Sequence, residues 1–410
     1  MENQESENLN ILWLKADPLY PLNSGGRIRT YQMLFELNKR HNITYLAFFP
    51  INTDQEAKIN SYKYSSSQVW IPWRDTKMFS LRFLFQILKN LIFSKYPYVI
   101  DKYTSNHFRK ALKELLAKQD FDFVITDFMS TANNVIGLEK NQSKFVVFQH
   151  NVESQIWRRH YYNASNFFKK FYMYIQWQRM LKFEKSACSW FDGVIGVSGE
   201  DTDFFRNKLS LSNILGDVPT GVDIDYFQEM SYQPKNNSIV FLGSMDWMPN
   251  IDGICYFVKE IYPLIKQKYA EIKLTIVGRN PTDRILALAQ DKSIKVTGTV
   301  DDVRKYLSSS SVSIVPLRIG GGTRIKIFES MAAGVPVVST SIGAEGLPLR
   351  HGEHILMAEK PNAFASEVLK LLNNEQMRNK ISANALKLIE ENYSWKTVVN
   401  EFERLLGKII

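Results

Sequence analysis

The stretch GGGTRIKIFESMAAGVPVV (residues 320–338) decides how the second half of the chain folds. It follows the apolar run VSIVP (312–316), whose length and β-branched residues are typical of a buried parallel strand. Three glycines leave backbone amides accessible, Thr323 can cap a helix, and Gly334 ends that helix before a strand at 335–338. This order places an amide-rich loop and a helix N-terminus at the carboxyl edge of a sheet, where α/β proteins bind phosphate groups.

Three charged residues in this stretch extend the phosphate prediction. Arg324 and Lys326 add positive charge beside the loop, and Glu329 lies one turn further along the helix, where it can accept hydrogen bonds from sugar hydroxyls. The pattern therefore predicts a site for a nucleotide diphosphate and its ribose. The structural alternative is that the glycines form a simple turn and that Lys326 pairs with Glu329 along the helix.

Strand-like and helix-like segments alternate along the rest of the chain. The predicted strands are 11–14, 43–49, 123–127, 145–148 and 193–198 in the first half, and 239–243, 273–278, 294–296, 312–316 and 335–338 in the second. Alternation of this kind indicates doubly wound parallel sheets with helices on both faces. A chain of 410 residues is too long for one ordinary core, so two α/β domains are predicted.

The domain boundaries follow from breaks in this alternation. The pattern stops at 217–223, and 232–237 has the composition of a linker. We therefore predict an N-terminal domain over 1–225 and a C-terminal domain over 236–392, with two sheet edges facing each other across a cleft. The remaining segment, 393–410, carries an amphipathic helix at 395–406 that has no strand after it, so we expect it to pack across both domains.

The composition indicates which cellular compartment and which cofactors to expect. Cys188 and Cys255 lie far apart and match no metal-ligand spacing, which favours a reducing compartment. The acidic start MENQESE (1–7) differs from a signal peptide, and no stretch of eighteen apolar residues occurs. The expectation is a cytoplasmic protein without a metal or other cofactor, since no aspartate cluster suggests a divalent metal site.

The positive charge is concentrated in one segment. Residues 58–118 contain 12 Lys or Arg against 3 Asp or Glu, a surplus as large as the net charge of +9 of the whole chain. Within it, 79–93 has polar residues at helical spacing and an otherwise apolar circumference. Such a basic amphipathic helix is suited to the interface of a membrane, so 78–98 predicts peripheral contact with the inner face of the plasma membrane. The alternatives are a core helix of the first domain and a merely solvated basic face.

Two polar residues end neighbouring strands of the first half. His150 follows the strand at 145–148, and Asp127 ends the strand at 123–127, so both lie at the edge where α/β proteins place ligands. Both are therefore candidates to contact a ligand. If that ligand is a sugar donor with its acceptor, His150 would bond to the donor sugar or orient the acceptor, and Asp127 would orient the acceptor hydroxyl. The alternatives are a satisfied structural histidine and a helix cap for the segment from Ser130 onward.

A long helical stretch is predicted over 151–190. Its aromatic residues alternate with arginines and lysines, so it can contact a sugar acceptor or a membrane, or simply pack the domain. Aromatic and basic residues also occur in nucleic-acid-binding proteins, but no recognised nucleic-acid-binding module is present, so no nucleic-acid partner is expected.

The motifs taken together resemble one enzyme family over nearly the whole chain. The C-terminal half, from FLGSMDW (241–247) through the glycine loop to SW (394–395), resembles the retaining glycosyltransferases of family 4, above all those that make bacterial surface polysaccharides. The N-terminal half agrees through GG (25–26), QHNVE (149–153), VS (197–198) and TGVD (220–223). The resemblance implies the GT-B fold of two facing Rossmann-like domains and transfer of a sugar from a nucleotide donor, a UDP-sugar, to a glycan or polyprenyl-linked acceptor.

The resemblance also implies roles for individual residues. Glu329 would bind the ribose, the amides of Gly321, Gly322 and Thr323 would contact the diphosphate or the sugar, and His150 would lie beside the transferred sugar. The remaining implied donor-binding residues are Gly25 and Gly26, in a loop closing over the phosphates, Gly243, and the base-pocket residues Gly278, Arg279, Gly298 and Val300. The front-face mechanism usual for the family lets the departing phosphate help to deprotonate the acceptor.

Two departures from the family pattern leave other functions open. The family's pair of glutamates is incomplete, because Gly321 stands where the partner of Glu329 is usual. The usual Arg and Lys early in the second domain are replaced by residues 243–250, so Arg324 and Lys326 are the candidates to supply that charge. The alternatives are a nucleotide-sugar 2-epimerase of the same fold and a catalytically silent subunit that binds nucleotide sugar.

Overall fold

The computed structural model describes residues 8–22, 24–51, 55–76, 80–164, 166–235, 237–319 and 325–410. The predicted phosphate loop, Gly320 to Arg324, therefore lies outside the described residues, as does the cap predicted for Thr323. The chain divides into two compact units. The N-terminal unit comprises Met1–Pro219 with Val398–Ile410, and the C-terminal unit comprises Thr220–Thr397.

The N-terminal unit is built on a parallel sheet of seven strands in the order β3-β2-β1-β4-β5-β6-β7. Its strands are nearly continuous apolar runs because helices cover both faces, so consecutive residues such as Ile11, Leu12 and Trp13 are all buried. The strand bounds are β1 Asn10–Lys15, β2 Asn42–Pro50, β3 Ser67–Trp73, β4 Phe123–Asp127, β5 Lys144–Phe148, β6 Gly193–Gly196 and β7 Ile214–Asp217.

In the part of this unit that the structure describes, eight helices and a 3₁₀ turn at Met129–Asn134 connect the strands. Their bounds are α1 Gly25–Leu37, α2 Glu56–Ser61, α3 Leu81–Phe93, α4 Tyr98–Tyr103, α5 Asn106–Lys118, α6 Glu153–Tyr162, α7 Phe167–Trp190 and α8 Gly199–Asn207. The last helix of the chain, α17 (Trp395–Leu406), contributes its residues from Val398 onward to this unit. There, Phe402 packs its ring 5.8 Å from that of Trp13 and 5.4 Å from that of Phe148.

The C-terminal unit has a parallel sheet of six strands in the order β10-β9-β8-β11-β12-β13. The strand bounds are β8 Ser238–Leu242, β9 Lys273–Val277, β10 Ile294–Val296, β11 Val312–Val315, β12 Val337–Ser339 and β13 Leu356–Met357. Its helices are α9 Ile224–Gln228, α10 Met248–Tyr256, α11 Tyr262–Lys266, α12 Asp283–Leu286, α13 Arg304–Leu307, α14 Ile325–Ala332, α15 Pro361–Asn373 and α16 Glu375–Asn392, with a π-helical turn at Phe257–Ile261 and a 3₁₀ turn at Ala287–Gln290.

Both sheets reverse their strand order at one place. The reversal falls between β1 and β4 in the N-terminal unit and between β8 and β11 in the C-terminal unit. Loops leave these neighbouring strands toward opposite faces, which opens a crevice outside their carboxyl ends. The fold therefore predicts one ligand site at the β1/β4 edge and another at the β8/β11 edge.

The prediction of doubly wound parallel sheets is confirmed, and all ten predicted strands are present. Three strands, β3, β7 and β13, were not predicted. Polar residues, Pro or Gly interrupt the apolar pattern of β3 and β7, and β13 has only two residues. The prediction of one helix over 151–190 is wrong, because the segment forms two helices, α6 and α7. The second begins after Asn166, whose side chain accepts hydrogen bonds from the amides of Phe168 and Lys169.

The interpretation of 79–93 as a core helix is wrong. Helix α3 is described in full, and its one buried residue is the polar Asn90. Positions 78 and 79 lie outside the described residues. None of the helices in the described ranges combines the length and the apolar composition that spanning a bilayer requires.

Candidate active site

A buried charged cluster lies at the β1/β4 edge of the N-terminal unit. Lys15 is the last residue of β1 and Asp127 the last residue of β4, so the strand reversal brings them together. One carboxylate oxygen of Asp127, Oδ2, accepts hydrogen bonds from Lys15 Nζ at 2.8 Å, Trp13 Nε1 at 3.0 Å and Thr30 Oγ1 at 2.6 Å. Burial alone would raise the pKa of Asp127, but the charges of Lys15 and the contact with His150 hold it well below its usual range. The carboxyl group is therefore ionised.

His150 lies directly beside this carboxylate. Its Nε2 is 2.8 Å from Asp127 Oδ1, although the angle at this contact is outside hydrogen-bond geometry. The imidazole stacks on the ring of Phe128, with centroids 4.0 Å apart, and also contacts the ring of Phe148. Burial lowers the pKa of His150 to about 4 in spite of Asp127, so the imidazole is neutral at neutral pH. A neutral imidazole carries a proton on one ring nitrogen, and its other nitrogen can accept a hydrogen bond.

Phe128 lies between this cluster and the start of α1, and its backbone has an unusual conformation. Its φ of 68° and ψ of 158° lie in a region that is essentially restricted to glycine. The ring stands 4.5 Å from Lys15 Nζ, and a β-carbon on Gly26 would lie 3.3 Å from its edge. A strained residue is therefore held between the charged cluster and helix α1.

A cavity of about 300 Å³ opens beside Asp127 and Phe128. Its polar lining includes Lys15, Asp17, Ser24, Arg27, Asp127 and Glu153, while Val99, Ile100 and Met180 contribute apolar surface. Arg27 is held by a 2.6 Å ion pair with Asp17. His150 is not part of the lining. The prediction that Gly25 and Gly26 belong to a loop is wrong, because helix α1 begins at Gly25.

Two glutamates meet at the start of α6, and one of them, Glu153, lines this cavity. Burial raises the pKa of Glu153 to about 7, and also that of Glu184. Glu184 accepts hydrogen bonds from the backbone amides of Glu153 at 2.8 Å and Ser154 at 3.3 Å, so it caps the N-terminus of α6. Glu153, at the start of that helix, contributes to the cavity lining.

The β8/β9 edge of the C-terminal unit is built from close-packed glycines. Gly243 follows β8 and Gly278 follows β9, and a β-carbon on Gly278 would overlap the carbonyl oxygen of Gly243. The loops are joined by hydrogen bonds from the Met245 amide to the Arg279 carbonyl at 2.9 Å and from Arg279 Nε to Ser244 Oγ at 3.0 Å. Glycine is required here because two backbone segments touch.

Lys326 reaches this glycine edge from the first turn of α14. Its Nζ donates a 2.6 Å hydrogen bond to Asn250 Oδ1 and lies 4.9 Å from the centre of the Phe241 ring. Asn250 in turn donates to the carbonyl of Ser244 at 2.9 Å. A β-carbon on Gly243 would lie 3.0 Å from Lys326 Nζ, so the ammonium group is next to the glycine backbone.

Glu329 lies one turn further along α14. Burial raises its pKa to about 7, against the opposing effect of Lys326. Its side chain retains an intermediate solvent exposure. A carboxyl group with this pKa changes its charge near neutral pH, and its oxygens can accept hydrogen bonds from ligand hydroxyls when it is ionised.

The structure brings together some of the predicted residues. Asp127 and His150 meet in the N-terminal unit, and Gly243, Gly278, Arg279 and Lys326 meet in the C-terminal unit. Gly298, with a φ of +70°, and Val300 follow the next strand, β10, at the same edge of the sheet. Gly321, Gly322, Thr323 and Arg324 lie outside the described residues.

Sequence reasoning missed three residues of these clusters. Lys15 was detectable, because it is the one charge that ends the apolar run ILWLK (11–15). Phe128 and Asn250 gave no signal, since a φ value and a long-range amide contact leave no local pattern. In the part of the chain that the structure describes, no group of three His, Cys, Asp or Glu side chains is arranged to hold a metal ion.

Comparison with known proteins identifies the class. Residues 236–374 match the family described as glycosyl transferases group 1. Over 411 residues the chain is 21% identical to an uncharacterised 44.6 kDa protein in the cps region of Klebsiella pneumoniae, covering 95% of this chain and 97% of that protein. It is 26% identical to the phosphatidyl-myo-inositol mannosyltransferase of Mycobacterium leprae (53% and 60% covered), and 23% identical to the capsular polysaccharide biosynthesis glycosyltransferase CapM of Staphylococcus aureus (59% and 67% covered).

Solved structures match the whole fold. A glycosyltransferase from Rickettsia africae has a TM-score of 0.66 at 18% identity, covering 98% of this chain and 99% of that chain. Anabaena HepE, solved in complex with UDP and glucose, has a TM-score of 0.64 at 12% identity, covering 98% and 100%. The two parallel sheets are those of the GT-B fold. Residues 236–374 form a glycosyltransferase group 1 domain, and the chain is a glycosyltransferase of this fold.

Proposed function

We propose that this glycosyltransferase moves a sugar from a UDP-sugar, with retention of anomeric configuration and without a metal, to a hydroxyl of a glycan or lipid-linked glycan in surface-polysaccharide synthesis. The observation that carries the proposal is the β8/β9 edge, where Lys326 of α14 lies against the glycine backbone within the matched segment 236–374, with Glu329 one turn further along the same helix. This combination is suited to a ligand that has both a diphosphate and sugar hydroxyls.

The C-terminal unit would bind the donor. Its leaving nucleotide gains negative charge as the glycosidic bond breaks, so a cation and amides that are already in position lower the barrier more than they strengthen ground-state binding. Lys326, held in place by Asn250, supplies one such cation. The amides of Gly321, Gly322 and Thr323, with Arg324, would supply the rest, and Glu329 would bind the ribose. Arg279, Gly298 and Val300 would line the base pocket.

The N-terminal unit would bind the transferred sugar and the acceptor. Asp127, fixed by three donors, lies beside His150, whose neutral imidazole can accept a hydrogen bond from a sugar hydroxyl. A neutral imidazole adds no positive charge beside an oxocarbenium-like sugar. Gly25 and Gly26 at the start of α1 would face the phosphates. The departing phosphate would help to deprotonate the acceptor.

The relatives support the polysaccharide setting and the choice of nucleotide. One relative is encoded in a cps region, CapM acts in capsular polysaccharide biosynthesis, and HepE binds UDP-glucose in its structure. The proposal extends these properties to this chain.

The decisive experiment measures transfer from a panel of nucleotide sugars and follows the anomeric configuration of the product by NMR. We expect Lys326→Met to lower the rate by on the order of a hundredfold, as removal of one charge-stabilising group typically does. Glu329→Gln should weaken donor binding, because the ribose hydroxyls lose a charged acceptor. Lys305→Met and Glu375→Gln, exposed positions of the same unit, are matched controls that should retain activity. Normal activity in both site variants contradicts the donor site, and an inverted product contradicts retention.

Incubation with donor alone separates the proposal from the other two functions. A glycosyltransferase releases UDP slowly by hydrolysis and rapidly once an acceptor is added. An epimerase would convert the donor to a second nucleotide sugar without an acceptor. A silent subunit would bind the donor, which raises the apparent thermal stability, and would turn over none of it.

A further inference from the structure

Helix α3 of the N-terminal unit exposes its apolar side to solvent and buries a polar residue, which is the reverse of a normal surface helix. Five large apolar residues at spacings of three, four and seven form one stripe along it, and all are exposed to solvent; they are Leu81, Leu84, Phe85, Leu88 and Ile92. Phe85 is 67% exposed and Leu88 56%. An apolar stripe normally faces the core. A contiguous exposed stripe of this kind marks an interaction site.

The opposite side of α3 is fixed to the protein by polar contacts. Asn90 is buried and donates hydrogen bonds to Asp101 Oδ2 at 2.6 Å and to the carbonyl of Tyr96 at 3.0 Å. It also accepts a 3.0 Å hydrogen bond from Gln176 Nε2 of α7. Arg179 donates to the carbonyls of Asn90 and Leu91 at 3.0 and 2.9 Å. These contacts determine which side of the helix faces outward.

A basic groove of about 830 Å³ runs beside the apolar stripe. Five cations line it against one carboxylate, Asp101, which is already bonded to Asn90. The cations are Arg74, Arg82, Lys89, Lys95 and Lys102. Lys102 pairs with Asp75 at 2.7 Å, whereas Arg82 and Lys89 have no carboxylate partner among the residues that the structure describes. The groove therefore carries an excess of positive charge.

A second group of exposed rings lies at the start of α7, the helix to which α3 is bonded. Phe167 and Phe168 are 76% and 80% exposed, and Phe171 and Tyr174 are exposed as well. Lys169 and Lys170 stand between them. Aromatic rings that alternate with lysines are suited to the headgroup level of a bilayer, where the rings enter the acyl boundary and the lysines remain with the phosphates.

We propose that α3 and the start of α7 form a docking face for an anionic lipid surface, with the groove cations binding lipid phosphates. At 1.5 Å per residue the 13-residue α3 is about 20 Å long, shorter than the roughly 30 Å hydrocarbon core, so it lies in the plane of the interface. Pairing of two copies through this face would bring their basic grooves together, because a two-fold interface uses the same patch on both subunits. An anionic lipid surface can bury the apolar stripe and pair with the cations of the groove at the same time. This docking is independent of the proposed transfer reaction.

The test is sedimentation of the full-length protein with vesicles of phosphatidylcholine alone or mixed with phosphatidylglycerol. We expect binding to the mixed vesicles that weakens as salt is raised, and little binding to phosphatidylcholine alone. The double variant Phe85→Ser/Leu88→Ser should lose at least tenfold in vesicle affinity. For Arg82→Gln/Lys89→Gln, the affinity for the mixed vesicles should fall most of the way to the affinity for phosphatidylcholine alone.

Matched controls are Ile59→Ser, which removes an exposed apolar residue of α2, and Lys110→Gln, which removes an exposed cation of α5. Both should bind vesicles like the unmodified protein, and circular dichroism should show that all variants are folded. Equal binding to both vesicle types, or no loss in the Phe85→Ser/Leu88→Ser variant, overturns the proposal. Self-association without lipid that this variant abolishes overturns it in favour of a second copy.

Discussion

The N-terminal sheet has fixed charges where its strand order reverses, between β1 and β4, whereas the C-terminal sheet has glycine backbone at the carboxyl ends of β8 and β9, next to its own reversal between β8 and β11. At the β1/β4 edge, Asp127 is buried and has three donors on one oxygen. At the β8/β9 edge, Gly243 and Gly278 have no side chains, and the cation beside Gly243, Lys326, is bonded to a neutral amide. The first edge is a closed electrostatic network, and the second is an open approach to backbone amides.

The difference shows how one topology can serve two tasks. A buried ion pair fixes the carboxylate that lies beside a nearby group, here the His150 imidazole, and burial keeps that imidazole neutral. A glycine edge lets a ligand come close to backbone amides, which suits phosphate oxygens. The topology supplies the crevice in both units, and a few side chains decide what it can hold.

The largest expected effect comes from breaking the closed network. Asp127→Ala leaves Lys15 buried without its counter-charge, which should destabilise the N-terminal unit by about 3–5 kcal/mol. Asn250→Ala removes only a neutral partner of Lys326, so its cost in the C-terminal unit should be about 1 kcal/mol. Native-state hydrogen exchange of the β1 and β4 amides, compared with the β8 and β11 amides, measures each loss locally.

The double variant Lys15→Met/Asp127→Asn is the control for this prediction, because it removes both charges and should recover most of the lost stability. Equal costs for Asp127→Ala and Asn250→Ala would show that the two edges do not differ in their electrostatics.

The two edges should also respond oppositely to pH. The folded pKa of His150, about 4, is below its usual 6.5, so its contribution to stability is complete above pH 6.5 and is lost as the pH falls toward 4. The folded pKa of Glu329, about 7, is above its usual 4.5, so its contribution is complete below pH 4.5 and is lost as the pH rises through 7. The His150 effect is at most about 3 kcal/mol, at about 1.4 kcal/mol per pH unit. The Glu329 effect is smaller because its side chain is partly exposed.

Urea unfolding of the protein, His150→Gln and Glu329→Gln between pH 4.5 and 8 measures these contributions. Relative to the unmodified protein, His150→Gln should gain stability at acid pH and Glu329→Gln at alkaline pH. Other titrating groups, including Glu153 and Glu184, are common to all three proteins and cancel in the differences. Parallel curves for all three would contradict both assignments.

The fold was predictable because long apolar runs alternate with helical segments, and this pattern survives in a single sequence. The carboxyl ends of those runs also indicated Asp127, His150 and the edge near Gly243. Contacts between residues far apart in the chain were not predictable: nothing near Asn250 indicates Lys326, 76 residues away. The outward orientation of α3 also depends on a distant residue, Gln176, which holds Asn90.

The smallest expected effect separates backbone strain from ring packing at Phe128. Phe128→Ala and Phe128→Gly both remove the ring that stacks on His150, but only glycine adopts the observed φ of 68° and ψ of 158° without strain. Phe128→Gly should therefore be more stable than Phe128→Ala by about 1 kcal/mol, the low end of the cost of such a conformation.

Gly199 gives the reference for a glycine-to-alanine change, because it has no positive φ and a β-carbon there would meet nothing within 4 Å, so Gly199→Ala should lack any comparable strain. Urea unfolding of these variants measures the differences. If Phe128→Ala is as stable as Phe128→Gly, the backbone relaxes once the ring is gone. The conformation would then be imposed by the contacts of the ring with His150 and Lys15, and the closed network would extend one residue beyond Asp127.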